Sequence, residues 1–318
     1  LSLLAQGQEV VIVDNLANSN LQVLERLEYI AGMYVPFVKL DVRNTPALNK
    51  VFEQYSIDAV IHTAAFKSIE ESRLKPLEYY NDNLSCIMSL MRSMQRTGVR
   101  NLVHLSSLAV YGQSSLELNE NTPFNFNNSN PYIKSQQMIE EIIRDTVKTD
   151  NEWNVAILRI GNVVGAFEQA VLGEFVQPLP KNIVPLALQV ATMQRDYIEL
   201  QQTAQTEDQT VERSFVHVLD VCDAIFASLY WFNHQQNVCE SFDIGGYSLS
   251  IQQILTEIKQ VTGQQIKTIE ATYSFDELDQ IGSNSSKAEQ LLGWKAKRSV
   301  EKMIQDQWQF YQSTLNLS

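Results

Sequence analysis

Basic residues are scarce in this chain: 24 Lys and Arg against 37 Asp and Glu give a formal net charge of −13. That balance speaks against a surface built for the phosphates of DNA or RNA. It leaves nucleotides open, because backbone amides and one or two basic side chains hold those. Cysteine is scarcer still. Cys86, Cys222 and Cys239 are odd in number and far apart, and no CxxC pair or His/Cys cluster points to a metal. Free thiols in a reducing cytoplasm are expected. No apolar run reaches the roughly 18 residues of a membrane span. The opening LSLLAQGQ lacks the basic flank and apolar length of a signal peptide. The expectation is a cytoplasmic protein with no metal, membrane or nucleic-acid partner.

What the chain does have is an ordinary globular composition, 318 residues with 44% hydrophobic and 19% charged. Short β-branched runs alternate with helix-period segments through the first half. EVVIVDN, VPFVKLD, IDAVIHTAA, NLVHLSS and WNVAILRI are near-continuous apolar runs, as strands covered on both faces require. TPALNKVFEQYS, LEYYNDNLSCIMSLMRSMQRTG and YIKSQQMIEEIIRDTVKTD read as the helices between them. The last begins with Asn130 as N-cap and Pro131 at the first helical position. This alternation predicts an α/β fold, a Rossmann-like doubly wound parallel sheet over residues 1–164. The rhythm then loosens into a smaller α/β substrate domain over 165–318, packed on the C-terminal edge of the first sheet.

Several candidates have plain structural readings. His62, His104 and His217 sit in or beside apolar strands and read as satisfied structural histidines, with no Ser–His–Asp spacing. Met88, Met91 and Met94 recur at helical spacing and read as core. Taken alone, Asp14 at a strand end reads first as a turn or N-cap acid, although a strand-end acid can also accept ribose hydroxyls.

The segment NPYIKSQ raises the main chemical question. Two helical steps of about 100° set Lys134 nearly opposite Tyr132, and the residue one turn on from Tyr132 is Gln136. An amide can bond a ribose hydroxyl but brings no charge to stabilise a phenolate. At a pKa of about 10, roughly one tyrosine in a thousand is ionised at pH 7.

Taken in order, KLDVRN, HTAAFKSIEES, KPLEYYNDN, LSSLAVYG, NPYIKSQ, LRIGNVVGA and NSSKAEQLLGW resemble the extended short-chain dehydrogenase/reductase family, most closely its UDP-glucose 4-epimerase branch. The resemblance implies NAD as cofactor, a UDP-hexose as substrate and a homodimer. It places Asp14, Asn15, Asn18 and Ser19 at the adenosine end, Asp41 and Val42 beside the adenine, and Thr63, Ala64 and Ala65 along the cofactor. Lys67 and Asn83 would lie toward the nicotinamide. Ser107 and Tyr132 would meet the sugar 4-hydroxyl with Gln136 beside them, and Asn162, Asn182 and Arg213 would face the UDP-sugar.

Departures from the family pattern accompany that of Gln136, where the family has a lysine. Tyr273 and Ser274 stand where the family has a phosphate-binding arginine. Ser214 follows Arg213 in place of an aspartate, and Ile160 and Gly161 replace a tyrosine–phenylalanine pair. The implied activity is interconversion of UDP-glucose and UDP-galactose through a 4-keto sugar, impaired in this chain. The alternative is an inactive homologue that binds a nucleotide sugar or a protein partner. A 4,6-dehydratase is rejected, because Leu108 and Ala109 stand where its acid–base pair belongs. Only 13 residues precede Asp14, whereas a dinucleotide fold places a glycine-rich turn about 20 residues before that acid. An upstream strand and turn of roughly 20 residues are expected.

Overall fold

The computed structural model describes residues 1–112, 118–126, 130–167, 171–174, 180, 182–203, 206–271, 280–282 and 284–315. Its strands are β1 (Ile12–Asp14), β2 (Phe37–Lys39), β3 (Ala59–His62), β4 (Asn101–Ser107), β5 (Asn154–Ile160), β6 (Asn162–Val164), β7 (Ile198–Leu200), β8 (Glu212–His217), β9 (Val238–Ile244), β10 (Tyr247–Ser250), β11 (Thr268–Glu270) and β12 (Gln280–Ile281). Its helices are α1 (Ser2–Ala5), α2 (Leu21–Ala31), α3 (Thr45–Gln54), α4 (Ile69–Leu74), α5 (Pro76–Thr97), α6 (Pro131–Val147), α7 (Ile183–Ala191), α8 (Val218–Phe232), α9 (Ile251–Thr262), α10 (Ser286–Leu292) and α11 (Val300–Leu315).

The parallel α/β architecture expected from the apolar runs is present. Strands β3, β4, β5 and β9 form one parallel sheet in that order, and β1 pairs with β2 in a second parallel pair. Among the described residues no ladder joins β1 to β3. One face of the four-stranded sheet packs on α3, α5 and α6 through Leu48, Ile87, Met91, Met94, Leu102, Ile139, Ile143 and Trp153. The opposite face packs on α8 and α10 through Val103, Ala156, Leu158, Ala224, Trp231, Phe242 and Ala288. Two-sided burial is why β5 has no solvent face: Val155 to Leu158 are all fully buried.

Beyond residue 164 the chain returns to this sheet, because β9 pairs with β5 from Val238 to Ile244. The remainder builds its own core, with α7, α9 and α11 enclosing Phe215, Ile254, Ile258 and Ile304. Strand β8 carries β6, β10 and β12, and β7 pairs with β11.

Local signals in the sequence account for the helix that matters most. Asn130 caps α6 by accepting from the Ile133 amide at 3.0 Å, and Pro131 opens it where its missing N–H is harmless. The predicted core methionines behave as such: Met91 and Met94 are buried and Met88 packs against them. His217 is fully bonded, its Nδ1 accepting from the Leu219 amide and its Nε2 donating to Asp306 at 3.1 Å. His62 and His104 pair with each other instead, Nδ1 to Nδ1 at 3.0 Å, and neither Nε2 has a partner among the described residues. Burial pushes both well down, to about 3 and about 4, so both rings are neutral.

One buried acid carries a stability prediction. Asp243 on β9 accepts from the Tyr111 hydroxyl at 2.6 Å, while its Oδ2 has no partner. Burial, with the neighbouring Glu120 and Glu140, raises its pKa to about 7 against the pull of Tyr111 and Arg159. An acid whose folded pKa exceeds its unfolded one loses stability as pH climbs between the two values. Asp243→Asn keeps the acceptor for Tyr111 and removes the unpartnered carboxylate oxygen. The melting temperature of Asp243→Asn relative to wild type should therefore climb from pH 4 to pH 7. The differential effect is on the order of a few kcal/mol. Thermal unfolding of both proteins across that range checks the sign.

Candidate active site

The C-terminal ends of parallel strands are where such sheets place ligands, and a cavity of about 950 Å³ opens there. That is near the upper end for small-molecule and cofactor sites. The turn after β3 contributes Thr63, Ala65 and Lys67, β4 contributes Ser107, and α6 contributes Tyr132 and Gln136. Asn162, Asn182 and Arg213 line the far side with Phe215, Leu186 and Ile198. Leu1, Leu3 and Leu27 line the same cavity, a contribution that no motif signalled.

The other candidates lie outside this lining. Asp14, Asn15, Ser19 and Asp41 gather at the ends of β1 and β2. Asp14 Oδ1 accepts from Ser19 Oγ at 2.8 Å and from the Leu16 amide at 2.6 Å. Asn15 Nδ2 donates to Asp41 at 3.2 Å, and Arg43 holds Asp41 through Nη2 at 2.7 Å. The guanidinium keeps the Asp41 carboxyl well below the usual carboxylate range. Asn18 is exposed, Ala64 is exposed, and Val42 packs against the helical layer. Asn83 is buried and structural in its contacts: it accepts from the Phe66 amide and donates to the Phe66 carbonyl and Ser135 Oγ. It thereby pins the turn bearing Lys67 to α5 and α6. Tyr273 and Ser274 lie outside the described residues.

Ser107 and Tyr132, the two hydroxyls expected to meet the sugar, both line the cavity. The Ser107 hydroxyl is near enough to the Tyr132 phenol to act on its pKa, and Ser107 Oγ accepts from the Ala109 amide at 3.2 Å, capping the 3-10 turn Leu108–Tyr111. Burial raises the Tyr132 pKa above its ordinary value, and the neighbouring Ser107 hydroxyl only partly opposes this. Gln136 is 2% exposed and stands one turn along α6, while Lys134 lies off the cavity. No charge on α6 within a turn of Tyr132 therefore reaches the phenol from the cavity side. The Gln136 Nε2 donor has no partner among the described residues.

Two departures in sequence prove to be one contact in space. A Cβ on Gly161 would stand 2.6 Å from the Ser214 carbonyl oxygen, closer than real Cβ atoms come. Ser214 Oγ in turn accepts from the Gly246 amide at 3.2 Å. The absence of a side chain at 161 thus lets β8 approach closely beside the cavity that both residues line.

Comparison with known proteins places this geometry. The model of the NAD dependent epimerase/dehydratase family matches residues 1–245. UDP-glucose 4-epimerase 2 of Arabidopsis thaliana is 35% identical over 314 residues, covering 97% of this chain and 89% of that protein. The UDP-glucose 4-epimerase of Bacillus subtilis is 32% identical over 317 residues, covering 99% and 93%. Among solved structures, the UDP-glucose-4-epimerase of Stenotrophomonas maltophila with bound NAD and formylated UDP-arabinopyranose superposes with a TM-score of 0.95 at 30% identity, covering 100% of this chain and 94% of that one. The Bifidobacterium longum UDP-glucose 4-epimerase in complex with NAD+ and UDP gives 0.94 at 30% identity, covering 99% and 94%.

Proposed function

The chain belongs to the NAD dependent epimerase/dehydratase family, and from that premise we propose that it is a UDP-hexose 4-epimerase whose acid–base step is slowed by a neutral active-site tyrosine. The observation that carries the reading is that Ser107 and Tyr132 stand together in the wall of a cavity that Asn162, Asn182 and Arg213 also line.

The residues present fit NAD at both ends of its ribose chemistry. Asp14 offers a carboxylate at the end of β1, and Gln136 offers an amide donor that the protein leaves unsatisfied. Thr63, Ala65 and Lys67 would line the cofactor between them. When bound, NAD supplies the acceptor and donor of the C4 hydride. Tyr132 Oη takes the proton of the sugar 4-hydroxyl and returns it after the 4-keto sugar has turned. Ser107 Oγ holds that hydroxyl in line with the phenol. Asn162 and Asn182 orient the hexose, and Arg213 brings positive charge to the diphosphate. The same reading includes a homodimer built through helices of the first sheet, which sedimentation velocity tests.

A base must first be deprotonated, and here the phenol is raised and unaided by a lysine. Epimerisation of UDP-galactose should therefore climb with pH, about tenfold per unit between pH 7 and 9. Protein purified without added cofactor should release NAD on denaturation, read by absorbance and mass spectrometry. A flat pH–rate profile in NAD-loaded protein would rule out Tyr132 as the rate-limiting base. The neutral Gln136 also supports a second reading, a nucleotide-sugar binder without turnover. Calorimetric binding of UDP-glucose with no epimerisation at pH 9 would favour that one.

A further inference from the structure

Ser107 and Tyr132 come from different elements, β4 and α6, so their separation depends on how the helix sits on the sheet. Residues four apart share a helical face, so Tyr132, Gln136, Glu140 and Arg144 form one stripe along α6. The first two line the cavity. Glu140, two turns on from Tyr132, is wholly buried. A carboxylate in such a place requires full hydrogen-bond satisfaction, and this one has it. Its Oε1 accepts from Ser106 Oγ at 2.7 Å and from Arg159 Nε at 3.0 Å. Its Oε2 accepts from Arg159 Nη2 at 2.7 Å and from Arg144 Nη2 at 3.0 Å.

The partners are the neighbours of the reacting groups. Ser106 precedes Ser107 on β4. Arg159 on β5 stands three residues before Asn162, and its Nη1 donates to the Tyr111 hydroxyl at 2.8 Å, at the end of the turn that Ser107 caps. A planar guanidinium held by two parallel bonds fixes angle as well as distance. An apolar contact would keep the helix on the sheet but would tolerate sliding.

We propose that Glu140 is a positioning residue: its fork onto Arg159 and its bond to Ser106 set the rotation and height of α6 over β4, and hence the approach of Tyr132 to Ser107. This rests on the reading of Tyr132 as the acid–base group. Displacing a reacting group by about 1 Å can lower turnover on the order of 100-fold, whereas substrate contacts on the far wall are untouched.

Two variants separate positioning from mere stability. Glu140→Gln keeps the shape but leaves Arg159 without its anion. The pair Glu140→Leu with Arg159→Met replaces the fork by apolar packing, an exchange that commonly preserves stability. Melting temperature, kcat and KM are measured for each, together with the 13Cζ resonance of Tyr132 in tyrosine-labelled protein, assigned by its loss in Tyr132→Phe. The expected result for the folded pair variant is a melting temperature close to wild type, kcat lowered at least tenfold and KM within threefold. Its Tyr132 resonance should move toward that of Ser107→Ala. Recovery of kcat along with stability, or an unmoved resonance, would overturn the proposal. If wild type has no epimerisation at any pH, that outcome removes the functional reading alone, and the resonance still decides whether Glu140 positions Tyr132.

Discussion

Tyr132→Phe is expected to lower epimerisation of UDP-galactose by about 10²–10⁴-fold, the usual contribution of a positioned acid–base group. The substitution deletes one hydroxyl and keeps the ring that lines the cavity between Ile133 and Ala109. Stability should hardly change, because only the hydroxyl beside Ser107 is lost, and Ser107 keeps its contact with the Ala109 amide. Ser107→Ala should lower turnover in the same direction while weakening the cap of the 3-10 turn. The measurements are steady-state turnover in NAD-loaded protein and the melting temperature of each variant. Full activity in Tyr132→Phe would sink the base assignment, whatever its effect on folding.

Gln136→Lys is expected to act in the opposite direction, raising turnover at pH 7 by about 10–100-fold. The position is one turn from Tyr132, buried, and occupied by an amide whose nitrogen has no partner. An ammonium there stands beside the phenol, and an opposite charge at such range lowers a pKa by about 1–3 units. Each unit multiplies the phenolate present at pH 7 by about ten, and the weaker basicity of the stabilised phenolate returns part of that gain. The pH–rate profile should shift to lower pH by a corresponding amount. Burial works against the new charge, so a modest fall in melting temperature is expected alongside the gain. An unchanged profile in protein shown to hold NAD would mean that the charge at 136 does not limit the reaction.

The element pattern was legible because parallel strands buried on both faces leave uninterrupted apolar runs. The helix that carries Tyr132 was legible from Asn130 and Pro131. Its facing rule was legible too: Gln136 and not Lys134 lines the cavity, as a helical period requires. The same rule applied once more reaches Glu140, which no local signal marks because a glutamate on a helix is ordinarily solvated. Its partner is 19 residues away on β5, and nothing local announces that pairing.

By itself, then, the order of residues determined the α/β class, the strand and helix sequence, and which side chains of α6 face the cavity, since these depend on periodicity and capping over a few neighbours. Tertiary structure alone decided which distant residues meet. It returned β9 to the edge of β5, set Gly161 against Ser214, paired His62 with His104, and gathered Ser106, Glu140 and Arg159 into one buried knot. The physical reason is range: helical and strand signals are written in the nearest turn or pleat, whereas contacts across a sheet are set by register and packing that no short stretch contains.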